Sequence, residues 1–249
     1  MRKRLFIYFF LYFSYILSAQ QLEINYTAYI RQNYTEEEKK MWFDDSEMGR
    51  AQLKANEEPP EELYRMIISN KESSFTYQDR INNSQEQRFD VRYAPAGFGT
   101  IYRSLKDSVQ KKNFDVYGKK YHSVDSLKIL NWKIERETKT LLGYKVRKAT
   151  LEDSLSITTV WFTPKIAIST GPADFWGLPG LILEVEKSSK ERTHTINYIA
   201  KSIKEIKNPK IIIPDKGTQI KESEIDLIYD EANKKQQEMY KNSQGVDKD

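Results

Sequence analysis

The chain has 249 residues, with 40 Lys+Arg against 36 Asp+Glu, two histidines and no cysteine. The absence of cysteine excludes a disulfide scaffold, a thiol nucleophile and a Cys-ligated zinc site, so stability must come from an ordinary hydrophobic core, which a chain of this length can build in one domain. The small positive excess excludes a strongly basic nucleic-acid surface, and most of it is concentrated at the amino end.

Arg2, Lys3 and Arg4 form a positive stretch, residues 5–17 are apolar apart from Ser14, and Ser18-Ala19 offers small residues for cleavage. That order reads as a secretory signal over 1–19, with an apolar run shorter than the ~18–20 residues of a spanning helix. Its removal leaves 37 basic against 36 acidic residues, a net charge of about +1. The remaining charges alternate in sign, as on a solvated face, so no nucleic-acid partner is expected. With no cysteine to acylate, the exported chain is not a lipoprotein.

Leu22, Ile24, Tyr26, Ala28 and Ile30 alternate with Glu23, Asn25, Thr27 and Tyr29, the period of a half-buried strand. Thr35 then caps a predicted helical insertion over 36–55, with an apolar stripe of Met41, Trp42, Met48 and Ala51. Strands rich in Tyr, Thr, Val and Ile follow at 64–69, 74–78, 100–104, 114–121, 129–134, 144–150, 156–163, 178–185 and 194–200. Short turn signals separate them, which argues for an antiparallel meander. The link 209–214 reads as an extended connector. Ser223 opens a second helix over 224–241, where Ile225, Ile228, Tyr229, Ala232 and Met239 share a face, and 244–249 reads as a loose tail. The expected architecture is mainly β (α+β): one curved antiparallel meander over 20–207 with a helical insertion, then a connector and carboxyl-terminal helix in 208–249.

The densest turn chemistry lies at Gly177-Leu178-Pro179-Gly180-Leu181-Ile182. Pro179 presets the second position of a β-turn and Gly180 suits the positive φ of the third, so 178–181 reads as a type II turn leading into an apolar strand. Gly171-Pro172 makes a second rigid corner, and between the corners stand Phe175 and Trp176. Two readings stay open: the rings plug one end of the core, or they are offered to a partner.

Together with Trp161-Phe162-Thr163-Pro164, Ser169-Thr170-Gly171-Pro172 and Gly143-Tyr144-Lys145-Val146-Arg147-Lys148-Ala149, this run resembles the GLPGLI family of exported proteins from Gram-negative bacteria. The resemblance is strongest over 132–200. Many members carry cysteine where this chain has Val146. The resemblance implies an envelope location, in the periplasm or at the periplasmic face of the outer membrane, and an association with TonB-dependent outer-membrane transporters; it brings no enzymatic activity. The strand pattern is also similar to the curved half-barrel of LolA-type lipoprotein carriers.

A search for catalytic groups supports a non-enzymatic reading. There is no Gly-x-Ser-x-Gly, His-Glu-x-x-His, Walker or dinucleotide motif. His122 and His194 fall on separate predicted strands, so no metal and no cofactor is expected. Asp174 reads as a cap on local backbone, and Glu184, inside an apolar strand, calls for a partner such as Arg147 or Lys148. The binding candidates are Phe175, Trp176, Leu178, Pro179 and Trp161; Gly171, Pro172, Gly177 and Gly180 are read as the turn framework. The chain is expected to be a binding or accessory module for an outer-membrane transporter, another envelope protein, a peptide or an apolar ligand. A structural assembly factor and a carboxylate-based hydrolase are the alternatives.

Overall fold

The computed structural model describes residues 21–79, 94–191 and 194–244. The segment 1–19, expected to be a secretory signal, and residues 245–249 of the expected tail lie outside them. In chain order the elements are β1 (Leu22–Gln32), α1 (Glu36–Trp42), α2 (Glu47–Glu57), β2 (Glu62–Ser69), β3 (Glu72–Gln78), β4 (Thr100–Ser104), β5 (Val109–Val116), β6 (Lys119–Ser126), β7 (Lys133–Leu141), β8 (Tyr144–Glu152), β9 (Ser156–Thr163), β10 (Leu181–Ser189), β11 (His194–Glu205), β12 (Thr218–Ile220) and α3 (Ile225–Gln244).

The strands form one sheet in the order β12-β6-β5-β4-β3-β2-β1-β11-β10-β9-β8-β7. It consists of two antiparallel meanders, β2 to β6 and β7 to β11, joined through β1, which pairs with β2 on one side and β11 on the other. Laid flat, β6 and β7 would stand about 48 Å apart at the usual strand spacing. Only residues 127–132 connect them, and so short a segment reaches about 25 Å at most. The sheet therefore curls, and this connector runs across its concave side. The expected mainly β architecture, a single open curved antiparallel sheet with a carboxyl-terminal helix, is the one observed.

The core lies between the concave face and the segment 164–180, which connects β9 to β10. Leu22, Ile24, Tyr26 and Ala28 of β1 point inward and are at most 4% exposed, as their alternation required. Leu181, Ile182, Leu183 and Val185 are buried as well. Leu183 is an extra residue in the β9–β10 ladder, a bulge that lets consecutive residues both face apolar surroundings. Each such side chain contributes about 1.5–3 kcal/mol by leaving water. The buried Tyr26 hydroxyl donates to the Ile182 carbonyl at 2.7 Å, so its polar end is satisfied. Aromatic rings of Tyr64, Phe75, Tyr77 and Tyr198 pack beside it.

Several boundaries differ from the sequence reading. The insertion 36–55 is two helices, because Ser46 caps α2 by accepting from the Gly49 amide at 3.0 Å and interrupts the first helix. The expected strand 114–121 is a hairpin whose turn, Tyr117-Gly118, has φ of 49° and 83°, the paired positive values of a tight two-residue connection. Asn70-Lys71 and Leu142-Gly143 turn in the same way. Residues 129–132 belong to the crossing connector, and the strand expected at 129–134 begins at Lys133. Residues 209–214 are the extended connector expected, but β12 beyond them pairs in parallel with β6. α3 docks by its first half: Tyr229 stacks on Phe114, with centroids 6.0 Å apart, while Met239 stays exposed.

Candidate functional site

The segment 164–180 is held from several directions. The head of β10 binds back to it: the Leu181 amide donates to the Ile166 carbonyl and the Ile182 amide to the Thr170 carbonyl, both at 3.0 Å. Ile166, Ala173 and Leu178 join the core. From the opposite wall, Arg103 of β4 reaches in, 2% exposed. Its Nη1 donates to Thr170 Oγ1 at 2.9 Å and to the Gly171 carbonyl, and its Nη2 to the Ala173 carbonyl at 2.6 Å and Gln110 Oε1 at 3.0 Å. Burial pushes the guanidinium down to about 10 against the pull of Asp174. It remains charged at neutral pH. Ser73 Oγ lies 3.1 Å from Thr170 Oγ1, and Trp132 Nε1 of the crossing connector donates to the Trp176 carbonyl at 2.7 Å.

The Gly-Pro corners differ in detail from the expected turn. The Gly180 amide donates to the Leu178 carbonyl at 2.8 Å, a three-residue turn centred on Pro179 in place of the four-residue type II turn. Leu181 cannot close the larger ring because its amide is engaged by Ile166. Gly180 is nonetheless required: its φ is 156°, and a Cβ there would stand 2.2 Å from the Thr163 carbonyl oxygen. Gly171 is equally confined, since a Cβ would meet Ile182 Cβ at 2.7 Å. Pro172 is buried, and Gly177 is exposed with φ of 93°. Ala173 holds a left-handed φ of 47°, a conformation that costs about 1 kcal/mol or more without glycine. Arg103 and the Phe175-to-Pro172 backbone bond of 3.1 Å hold it there.

These contacts separate the predicted binding residues. Leu178 is buried in the core and is not available to a ligand. Trp161 lies on the convex face, where Lys139 Nζ sits 4.4 Å from its ring centroid. That face also holds Glu184, whose partner is Lys139 at 2.8 Å and neither Arg147 nor Lys148; the β7 register decides this. Pro179 is exposed at the loop's end. Phe175 and Trp176 remain, both half-buried at the tip. Phe175 meets Tyr198 edge-on at 6.1 Å.

Beside Phe175 a cavity of about 370 Å³ opens between the tip and the concave sheet. Ile101, Leu130, Leu151, Ile196 and Tyr198 give it apolar walls, and Lys112, Asp174, Asp153 and Lys187 add charges. A smaller hollow of about 150 Å³ continues past Leu130 and Asp174 to Trp176 and Glu222. Asp174 does not cap its own loop. It accepts from Gln110 Nε2 at 2.9 Å and pairs with Lys112 at 2.8 Å. Lys112 also binds Glu222, which Lys128 meets at 3.1 Å. Burial opposes both charges of the Lys112–Glu222 pair, yet the partners prevail, raising Lys112 and lowering Glu222.

His122 is buried on β6 and His194 half-buried on β11, and the sheet order keeps their strands apart. Among the described residues no group of three or more His, Asp or Glu is placed to hold a metal, and no helix is long and apolar enough to cross a membrane. Sequence reasoning missed Arg103, the group that organises the site. Its parity with Ile101 on β4 was the available signal, since an inward-facing Arg needs internal acceptors.

A family model described as a protein of unknown function (Porph_ging) matches residues 152–184, the stretch from the end of β8 to Glu184. No curated protein matches the sequence. Among solved structures, a protein described as PNGF-II is similar in two crystal forms, with TM-scores of 0.56 and 0.53 at 16% identity over 86% of this chain. The chain spans about a third of the length of that protein, 34% and 32% respectively. An uncharacterised conserved protein from Thermus thermophilus reaches a TM-score of only 0.40 at 5% identity, with 82% of this chain and 91% of that one covered. The likeness to PNGF-II is one of fold and carries no activity across.

Proposed function

We propose that the protein is an exported envelope module that binds a ligand or partner at the concave side of its sheet, around the tip Phe175-Trp176, without bond-making chemistry. The cavity at that tip carries the reading. Its walls are apolar and aromatic, a few charged groups converge on it, and Arg103 holds the loop in place beforehand, the arrangement of a preformed recognition site. The export signal and the resemblance to GLPGLI proteins favour the periplasm or the inner face of the outer membrane, with a TonB-dependent transporter as partner.

Affinity capture from native outer membranes, read by mass spectrometry, tests this. The processed chain starting near Gln20 should recover a specific envelope partner, and Trp176→Ala should reduce capture several-fold. Because Trp176 is only half-buried, the melt should fall by a few degrees at most. A stable Trp176→Ala protein with undiminished capture removes the tip from the site. Loss of capture on changing His122 and His194 together to Gln would instead favour a catalytic or metal-dependent reading.

A further inference from the structure

We propose that the cavity beside Phe175 binds an anionic amphiphile of moderate length, with its acidic group at Lys187 and its apolar body along Ile101, Leu151, Phe175, Ile196 and Tyr198. This deepens the binding-module reading and rests on it. Lys187 leaves β10 on the concave face, opposite Ile196 of β11 on one side and Thr158 of β9 on the other. Thr158 in turn faces Leu151 of β8. A lysine thus interrupts a row that is otherwise apolar or hydroxylic.

The other charges that face the cavity are already engaged. Lys112 is neutralised by Asp174 and Glu222. Asp153 is the carboxylate nearest in kind to a partner for Lys187, but its own turn occupies it. Oδ1 accepts from the Leu155 amide at 2.8 Å and the Ser156 amide at 2.7 Å, and Oδ2 from Ser156 Oγ at 2.9 Å. The Leu155 amide does most to hold Asp153 below its ordinary range, and the charge of Lys187, acting without contact, does least. Outside its backbone pairing in the sheet, the Lys187 ammonium has neither an ion-pair nor a hydrogen-bond partner among the described residues.

A purely apolar occupant would strip water from this ammonium and return nothing, which is costly for an unpaired charge. A cationic amphiphile would be repelled. A carboxylate, sulfonate or phosphate head on an apolar body satisfies both parts of the lining. The volume of about 370 Å³ falls within the range of small-molecule sites.

Isothermal titration of the processed chain with decanoate, decanol and decyltrimethylammonium, each below its micelle concentration, tests the assignment. Decanoate should bind and weaken as salt is raised, and Lys187→Gln should weaken it by ~10-fold or more while leaving the melt unchanged. Ile196→Trp, or Leu151→Trp should the first fail to fold, should fill the cavity and abolish decanoate binding. Decanol binding as tightly as decanoate, or Lys187→Gln without effect on decanoate, overturns the charge assignment and leaves the module reading standing. Binding of none of the three probes overturns the amphiphile, and the module reading is then judged by partner capture alone.

Discussion

Two excursions leave this sheet between strands that are neighbours in it, and they are held in opposite ways. The segment 36–57 leaves between β1 and β2 as α1 and α2. Within those helices only Gly49 is buried, and Met41, Trp42 and Met48 stand 76%, 67% and 72% exposed. Its order is local: Thr35 and Glu38 form a reciprocal cap, Ser46 caps α2, and Lys39 pairs with Glu57 at 2.8 Å. The segment 164–180 leaves between β9 and β10 with no regular element, yet buries Ile166, Thr170, Gly171, Pro172, Ala173, Leu178 and Gly180. Its order comes from other elements, through Arg103, Ser73 and Trp132. Regular structure is therefore a poor guide to rigidity here. Coupling to the core decides which excursion can serve as a preorganised site.

If that contrast holds, substitutions in the two excursions should differ widely in global effect. The largest loss is expected for Gly180→Val, which combines a contact of 2.2 Å with the Thr163 carbonyl oxygen and a φ that a β-branched residue resists. More than ~3 kcal/mol, or about 10 °C in the melt, should be lost at this chain size. A mutant melting within a degree of wild type would mean that the loop is not coupled to the core. Arg103→Leu should follow, at ~2–4 kcal/mol, because it strands the acceptors of Thr170, Gly171 and Ala173 in a dry interior. Arg103→Lys should recover little, since one ammonium cannot replace a fork that serves both sides of the turn. A full rescue by Lys would show that charge alone matters.

A smaller effect should appear with pH at the join between β5 and α3. Glu222 titrates below its ordinary value of 4.5 because, against the penalty of burial, Lys112 and Lys128 favour its charge. A lowered carboxylate stabilises the fold above its unfolded pKa and loses that contribution as pH falls through the folded one. Urea midpoints of wild type and Glu222→Gln should therefore differ at pH 7 and draw together as the pH falls below Glu222's ordinary value, with a gap under ~1 kcal/mol because the pair is partly solvated. A gap that persists in acid would rule out the carboxylate charge as its source. The smallest global change is expected for Thr35→Ala. Losing the cap costs ~1 kcal/mol locally, so hydrogen exchange should quicken in α1 while the melt stays within about a degree. A global loss comparable with Arg103→Leu would erase the distinction between the two excursions.

The residues explain why one excursion was readable in advance and the other only in part. Thr35 capped the expected helix because capping is set by residues within one turn of each other. Ser46 offered the same kind of signal inside the stripe, and reading across it merged two helices into one. At 164–180 the glycines, prolines and rings marked a corner, but the partner that shapes it lies 67 residues away in sequence, from Arg103 to Thr170. No local window contains that pairing. A comparable separation explains Asp174, which looks like a loop cap in sequence and pairs with Lys112 in space.

The sequence by itself determined what depends on short range: the strand parity of 22–30, the hairpin-rich β character, the start of the first helix after Thr35 and the need for glycine at 180. Tertiary structure alone decided which aromatics are available. Trp161 and Phe162 are consecutive residues of one strand, so their side chains take opposite faces, and only the curl of the sheet makes one face a core and the other a surface. That curl follows from strand order and the short crossing at 127–132, a long-range constraint. It assigned Leu178 to the core, Trp161 to the convex side, and Phe175 with Lys187 to the same cavity.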